Sequence, residues 1–90
     1  MNRYSIVIDG KVQGVGFRYF TQITALTLNL TGFCENLMNG NVKIEVQGLE
    51  EDIHSFISKI KTGNNFCRVD EIDLINIPLV DREKNFKIKY

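Results

Sequence analysis

A glycine-rich segment near the N-terminus carries the residue types with the clearest chemical potential. Residues 10–18 read Gly-Lys-Val-Gln-Gly-Val-Gly-Phe-Arg and lie between a predicted strand and a predicted helix. Glycines at such a junction let consecutive backbone N–H groups point into one concavity, which can hold an anion. The helix that follows adds its own unpaired N–H groups and the positive end of its dipole. The segment is therefore a candidate phosphate-binding loop.

Arg18 favours the same interpretation, because it stands at the start of that predicted helix. A cation near a helix N-terminus opposes the dipole and lowers helix stability. A bound phosphate would reverse the balance, since it attracts the amides and the guanidinium together. An unfavourable charge at a helix start that no visible contact compensates is typical of a functional site.

Glycine spacing alone leaves a plainer alternative open, a tight surface turn followed by an incidental exposed arginine. The named phosphate motifs do not decide between the two. A dinucleotide-binding fingerprint that begins at Gly14 would need a glycine where Tyr19 stands. The Walker spacing also fails, because the residue five positions after Gly10 is Val15.

Few other side chains are candidates for catalysis or metal binding. Cys34 and Cys67 lack the spacing of zinc ligands, and we expect both to be reduced. His54 is the only histidine, so we expect no metal site, and we predict that it is exposed on a helix. Asp9 and Glu35 could form an acid–base pair, but solvation at strand ends is the favoured interpretation.

The composition limits the kinds of partner. Ninety residues suffice for a single domain spanning 1–90. Eleven Lys and Arg balance eleven Asp and Glu, which argues against partners held mainly by charge, such as nucleic acid or an anionic membrane. No apolar stretch reaches the roughly 18 residues of a membrane span, and no signal peptide is recognisable. We therefore expect a cytoplasmic protein, and nothing in the sequence demands more than a monomer.

Hydrophobic periodicity predicts seven elements, which are strands at 4–8, 33–38, 42–47, 68–77 and 86–90 and helices at 19–29 and 50–61. The first helix is predicted from an apolar stripe at helical spacing, made by Phe20, Ile23, Leu26 and Leu30. Asn39–Gly40 is a strong hairpin signal between the second and third strands, because both residues tolerate positive φ.

The order β-α-β-β-α-β with a short extra C-terminal strand predicts a ferredoxin-like α+β fold. Right-handed crossovers and the hairpin place the third strand between the first and second, in an antiparallel sheet with both helices on one face. This topology also occurs in RNA-recognition modules, which need exposed aromatic residues on the central strands. The predicted outward residues of the third strand are instead Lys43, Glu45 and Gln47.

The stretch Val-Gln-Gly-Val-Gly-Phe-Arg-Tyr-Phe at 12–20 resembles the signature of the acylphosphatase family. Further resemblance covers nearly the whole chain, in Leu28, Gly32-Phe33, Asn36 and Gly40, in Val46-Gln47-Gly48, and in the ending 86–90. Phe33 replaces the commoner Trp, and Cys34 replaces the usual Val. Oxidation of Cys34 could disturb a nearby site, but a small packed thiol is the favoured interpretation.

The resemblance implies a cofactor-free and metal-free enzyme that hydrolyses the carboxyl–phosphate bond of acyl phosphates. Arg18 would clamp the phosphate, Asn36 would orient the attacking water, and inorganic phosphate would be the product and a competing ligand. The phosphate cradle would be formed by Gln13, Gly14, Val15, Gly16, Phe17 and Arg18. The alternatives are a non-catalytic phosphate-binding module on the same fold, or a relative that acts on carbamoyl phosphate within a larger assembly.

Overall fold

The computed structural model describes all 90 residues and contains the seven predicted elements. They are β1 (Asn2–Lys11), α1 (Phe17–Thr27), β2 (Thr31–Asn36), β3 (Val42–Gly48), α2 (Glu50–Thr62), β4 (Arg68–Ile77) and β5 (Phe86–Lys89). Neither helix is long and apolar enough to cross a membrane.

The first strand extends beyond its predicted end, as far as Lys11. A bulge between Asp9 and Gly10 keeps β1 paired with β4 there. Gly10 is required at this point, because a Cβ would collide with the carbonyl oxygen of Arg68. The longer strand shortens the loop that follows it and fixes where that loop begins.

The strands form one sheet in the order β4-β1-β3-β2-β5, so the third strand lies between the first and second as predicted. The pairs among the first four strands are antiparallel. The expectation of a wholly antiparallel sheet was wrong for β5, which runs parallel to β2. The chain leaves β4 at Ile77, at the end of the sheet where β2 begins at Thr31. It enters β5 at that same end, so the two strands run in one direction.

Both helices pack against one face of the sheet, where Val42, Ile44 and Val46 of β3 are fully buried as predicted. The predicted stripe of α1 was wrong in part, because Ile23 and Leu26 are exposed. The buried residues of α1 are Phe17, Thr21, Thr24 and Ala25. Three of these are small, so the side chain of Phe17 makes the largest contribution of this helix to the core.

The opposite face is crossed by the segment 78–85, which leads from β4 to β5 and is held by Arg3. The Arg3 guanidinium is only 2% exposed and pairs with Glu45 at 3.0 Å and Glu83 at 2.7 Å. Burial lowers the pKa of Arg3, but its hydrogen bonds to the two carboxylates outweigh that effect and raise it. Gln47 exchanges two hydrogen bonds with the backbone of Val80, at 3.0 and 2.8 Å. These contacts fix the route by which the chain reaches β5.

Candidate active site

The loop between β1 and α1 is shaped by Gly14 and Gly16, which both have a φ of 73°. This left-handed conformation is costly for residues with a Cβ. Nothing lies within 4 Å of a Cβ placed on Gly14, so backbone conformation rather than space requires glycine there. Left-handed residues in a turn can create concavities lined by backbone N–H groups, which is the arrangement that the sequence predicts for this loop. We call residues 13–18 the cradle loop.

The first turn of α1 leaves its N–H groups open to an anion. Gly16 is the N-cap, no side chain caps the helix, and no acidic residue lies in the first turn. The first N–H groups of a helix have no intrahelical partner, and the helix dipole makes that end positive. The cradle loop and the helix start therefore present positive potential together.

Arg18, the last residue of the cradle loop and the second of α1, is half-buried and is held by the end of β5. Its Nη1 donates a hydrogen bond to the carbonyl oxygen of Lys89 at 3.0 Å. The guanidinium carbon lies 4.9 Å from the centre of the Tyr90 ring, within the range of a cation–π contact. No carboxylate forms an ion pair with Arg18. The guanidinium is thus positioned while its charge stays uncompensated.

Arg18 and Asn36 line one cavity of about 220 Å³, which we call the Arg18 cavity. Asn36 is the exposed last residue of β2 and lies on the same sheet face as Cys34. The volume is below the roughly 300 Å³ at which pockets for drug-sized ligands begin, and it suits a small anion. The lining residues are Val12, Gly14, Gly16, Phe17, Arg18, Tyr19, Asn36, Ile88 and Tyr90.

Two predicted cradle residues do not line this cavity. The side chain of Gln13 instead joins the loop to the β2–β3 hairpin, because its Nε2 donates to the carbonyl oxygens of Leu37 and Asn41, each at 2.8 Å. Val15 lines a neighbouring groove. Its carbonyl oxygen accepts a hydrogen bond at 2.9 Å from Asn64.

Asn64 is a structural contact of the site that the sequence did not reveal. Its Oδ1 accepts hydrogen bonds from the backbone N–H groups of Phe66 and Cys67, at 3.1 and 3.0 Å. With its Nδ2 on Val15, the side chain ties the α2–β4 loop to the cradle loop. The only available signal was an Asn in a turn-rich segment, since Asn side chains readily bond backbone groups two residues on.

The buried Cys34 thiol lies directly beneath the start of α1. Its Sγ is 3.6 Å from the carbonyl oxygen of Arg18. Burial raises the pKa of Cys34 to about 12, although the positive charge of Arg18 acts to lower it. A thiol is a weak nucleophile when it stays protonated, so the geometry favours the packed thiol over the oxidation-sensitive one.

The remaining candidates from the sequence do not assemble into a site. Glu35 pairs across the strands with Lys43, and Asp9 with Glu71, while β3 separates the two acidic residues. His54 is 71% exposed and contacts Glu50 one turn away, as predicted for an exposed helical histidine. No three His, Cys, Asp or Glu side chains come together as a metal site would require.

Comparisons with known proteins agree over the whole chain. A family model described as Acylphosphatase matches residues 4–88. A protein named Acylphosphatase from Clostridium beijerinckii is 62% identical over 90 residues, which covers 100% of both chains. Its namesake from Clostridium acetobutylicum is 47% identical, with 100% of this chain and 99% of that protein covered. The crystal structure of acylphosphatase from Bacillus subtilis has a TM-score of 0.95 at 38% identity, with both chains covered completely.

Proposed function

Because the chain belongs to the acylphosphatase family and is an enzyme that hydrolyses acyl phosphates, we propose that the Arg18 cavity is its active site. The observation that carries this proposal is the meeting of Arg18, Asn36 and the uncapped start of α1 around one small cavity. In it, the phosphate group accepts hydrogen bonds from the backbone of the cradle loop. The acyl part of the substrate stays outside this cavity.

Arg18 binds and neutralises the phosphate. Its guanidinium has no carboxylate partner, and its contacts with Lys89 and Tyr90 orient it before the substrate arrives. Charge-assisted hydrogen bonds from a guanidinium are about twice as strong as neutral ones. Positioning in advance lowers the entropy that is lost on binding. The hydrogen bonds from Arg18 to the phosphate also stabilise the charge that spreads over the phosphoryl oxygens in the transition state.

Asn36 orients the water that attacks phosphorus. A neutral amide can accept and donate hydrogen bonds without repelling an anionic substrate. The water oxygen forms a bond to phosphorus while the bond from phosphorus to the acyl oxygen breaks. The electron pair of that bond leaves with the carboxylate, and the water protons pass to the phosphate and to solvent.

The chemistry of the substrate explains why these few groups suffice. A mixed anhydride already has a good leaving group, since a carboxylate is stable without protonation at neutral pH. Holding the phosphate, compensating its charge and placing the water in line remain to be done. We propose that the enzyme does this without a metal or cofactor.

We further propose that residues 1–90 act as one domain, as a monomer in the cytoplasm. A monomer would suffice for this function, because Arg18, Asn36 and the start of α1 meet around the Arg18 cavity without a residue from a second chain. Support for a reducing compartment comes from Cys34 and Cys67, which are both free thiols.

The test is hydrolysis of benzoyl phosphate in ¹⁸O-labelled water with excess chelator. We expect undiminished turnover, with the label in inorganic phosphate. We expect Asn36→Ala to lower kcat by about a hundredfold, as loss of one preorganised group does, with at most a twofold change in inhibition by phosphate. Glu35→Gln, its neighbour on the opposite sheet face, is the matched control and should change neither value.

Label in the carboxylate would contradict attack at phosphorus. Equal losses of turnover and phosphate affinity in Asn36→Ala would contradict the water-orienting role. Phosphate binding without turnover in the folded wild-type protein would favour the non-catalytic alternative. Turnover that stops in chelator would contradict the metal-free mechanism.

A further inference from the structure

An apolar groove of about 400 Å³ adjoins the Arg18 cavity on another side of the cradle loop. None of its lining residues is charged. Its most exposed large side chains are Phe66, at 74%, and Tyr19, at 65%. The lining residues are Val15, Gly16, Tyr19, Phe20, Ile23, Asn64 and Phe66. We call this surface the apolar groove.

The apolar groove and the Arg18 cavity share Gly16 and Tyr19. A molecule whose phosphate occupies the Arg18 cavity can therefore extend past these two residues into the groove. Asn64 holds the groove side of this junction in place, because it donates to the Val15 carbonyl and accepts from the N–H of Phe66. The two surfaces thus adjoin at Gly16 and Tyr19, and together they offer a path with a charged end and an apolar end.

The geometry of in-line displacement determines on which side of phosphorus the leaving group lies. The water and the leaving group must lie on opposite sides of phosphorus. Asn36 lines the Arg18 cavity but not the apolar groove. A water held by Asn36 therefore directs the leaving carboxylate away from Asn36, and the apolar groove is an adjoining surface that does not include Asn36.

We propose that the apolar groove binds the acyl group of the substrate and selects acyl phosphates with aromatic, branched or longer aliphatic acyl groups. This inference rests on the function proposed for the Arg18 cavity. Clustered exposed aromatic and aliphatic side chains are typical of a binding surface rather than of ordinary solvated surface. An acyl group with a second carboxylate is disfavoured, because it would lose hydration in a groove whose lining residues carry no positive charge.

The test compares kcat/KM for benzoyl phosphate with kcat/KM for acetyl phosphate, which has only a methyl group to place in the groove. Wild type should prefer benzoyl phosphate. Phe66→Ala should lower the benzoyl-to-acetyl ratio about tenfold, which is the low end of the discrimination given by apolar pockets. Phe66→Leu should recover part of the ratio. The backbone hydrogen bond from Phe66 to Asn64 does not depend on the side chain, so the loop can keep its shape.

Matched variants on α1 separate the effect of a groove residue from that of another exposed residue on the same helix. Ile23 lines the groove and is 44% exposed, whereas Leu26 is 50% exposed and does not line it. Ile23→Ala should lower the benzoyl-to-acetyl ratio, and Leu26→Ala should leave both the ratio and the activity unchanged. Inhibition by inorganic phosphate reports on the Arg18 cavity alone and should stay constant across the series.

Two outcomes would overturn the inference while leaving the proposed function intact. One is an equal loss for both substrates in Phe66→Ala, which would make Phe66 a support of the cradle loop. The other is an unchanged ratio together with loss of self-association, which would assign the groove to a second copy of the chain. Failure of wild type to hydrolyse either substrate would instead remove the proposed function itself.

Discussion

The two strand–helix–strand halves of the fold treat the starts of their helices in opposite ways. The first turn of α2 is acidic, with Glu50, Glu51 and Asp52, and its last turn is basic, with Lys59 and Lys61. Both features stabilise a helix by complementing its dipole. The first helix has no acidic residue in its first turn and no basic residue in its last. Arg18 is the second residue of α1 and Glu51 is the second residue of α2, so equivalent positions carry opposite charges.

Packing against the rest of the protein must therefore stabilise α1, because the charges at its ends do not. Its buried face includes Thr21, whose hydroxyl is fully buried and has no hydrogen-bond partner. An unpaired buried hydroxyl costs about 1–3 kcal/mol. The second helix buries the larger side chains Ile53, Phe56 and Ile60. In the half that carries the Arg18 cavity, the start of the helix is thus less stable than it could be, and a bound anion at that start would restore the lost stability.

The largest expected effect comes from removing the charge that opposes the dipole of α1. Arg18→Ala should lower kcat/KM at least about a thousandfold, because we propose that the arginine binds the phosphate that is transferred. Its effect on the free energy of unfolding should stay near zero. Loss of the hydrogen bond to Lys89 costs about 1 kcal/mol, and relief of repulsion from the dipole returns about 0.3–1 kcal/mol.

Kinetics and denaturant unfolding measure the two effects of Arg18→Ala separately. Phosphate should raise the Tm of wild type and leave that of the variant unchanged, since a ligand stabilises only the state that binds it. Lys61→Ala, at the favourable end of α2, is the control and should keep full activity with a small loss of stability. A loss of several kcal/mol in Arg18→Ala would show that the arginine is structural.

A smaller effect is expected from two glycines that have a positive φ in the two halves. Gly16 before α1 has a φ of 73° and a ψ of 17°, and Gly63 after α2 has a φ of 75° and a ψ of −169°. Alanine at Gly16 should cost about 1–2 kcal/mol for the left-handed conformation, and alanine at Gly63 about 1–3 kcal/mol for a region that essentially only glycine adopts. Gly63→Ala should cost more, because its Cβ would lie 2.5 Å from the Cys67 sulfur, whereas a Cβ at Gly16 meets only Asn64 Nδ2 at 3.9 Å.

Activity should rank these two glycine variants in the opposite order. Gly16→Ala should lower kcat/KM by roughly tenfold or more, because small displacements of positioning groups are costly in catalysis. Gly63→Ala should keep nearly full activity at temperatures where it is folded. Parallel losses of stability and activity in both variants would mean that the cradle loop has no functional constraint beyond folding.

The sequence predicted the fold where local signals were sufficient. The element order, the hairpin at Asn39–Gly40 and the central position of β3 follow from periodicity, turn residues and the handedness of crossovers. The exposure of Ile23 could not be predicted, because the face that a helix buries depends on side chains from distant strands. The burial of Arg3 has the same origin, since its partners Glu45 and Glu83 are 42 and 80 residues away.

The candidate site, like the fold, could be predicted from the sequence only in part. The glycines and Arg18 indicated a phosphate loop on physical grounds, and the family resemblance added Asn36. The side-chain bonds of Gln13 and Asn64 were not predictable, because they join the cradle loop to the segments around residues 37–41 and 64–67, which lie near it only after folding. The apolar groove was missed for the same reason, since it combines α1 with the α2–β4 loop.

The smallest expected effect isolates the charge difference between the two helix starts. Glu51→Gln should lower the free energy of unfolding by about 0.3–1 kcal/mol at low ionic strength, with kcat/KM unchanged. Arg18→Gln removes the opposite charge from the equivalent position of α1. High salt screens exposed charges, since the Debye length falls to about 3 Å at 1 M. Salt should therefore shrink the advantage of wild type over Glu51→Gln and should improve the stability of wild type relative to Arg18→Gln. Denaturant unfolding at low and high salt measures both differences. Salt shifts of the same sign in the two variants would show that the charges do not act through the helix dipoles, and the contrast between the two halves would then rest on backbone geometry alone.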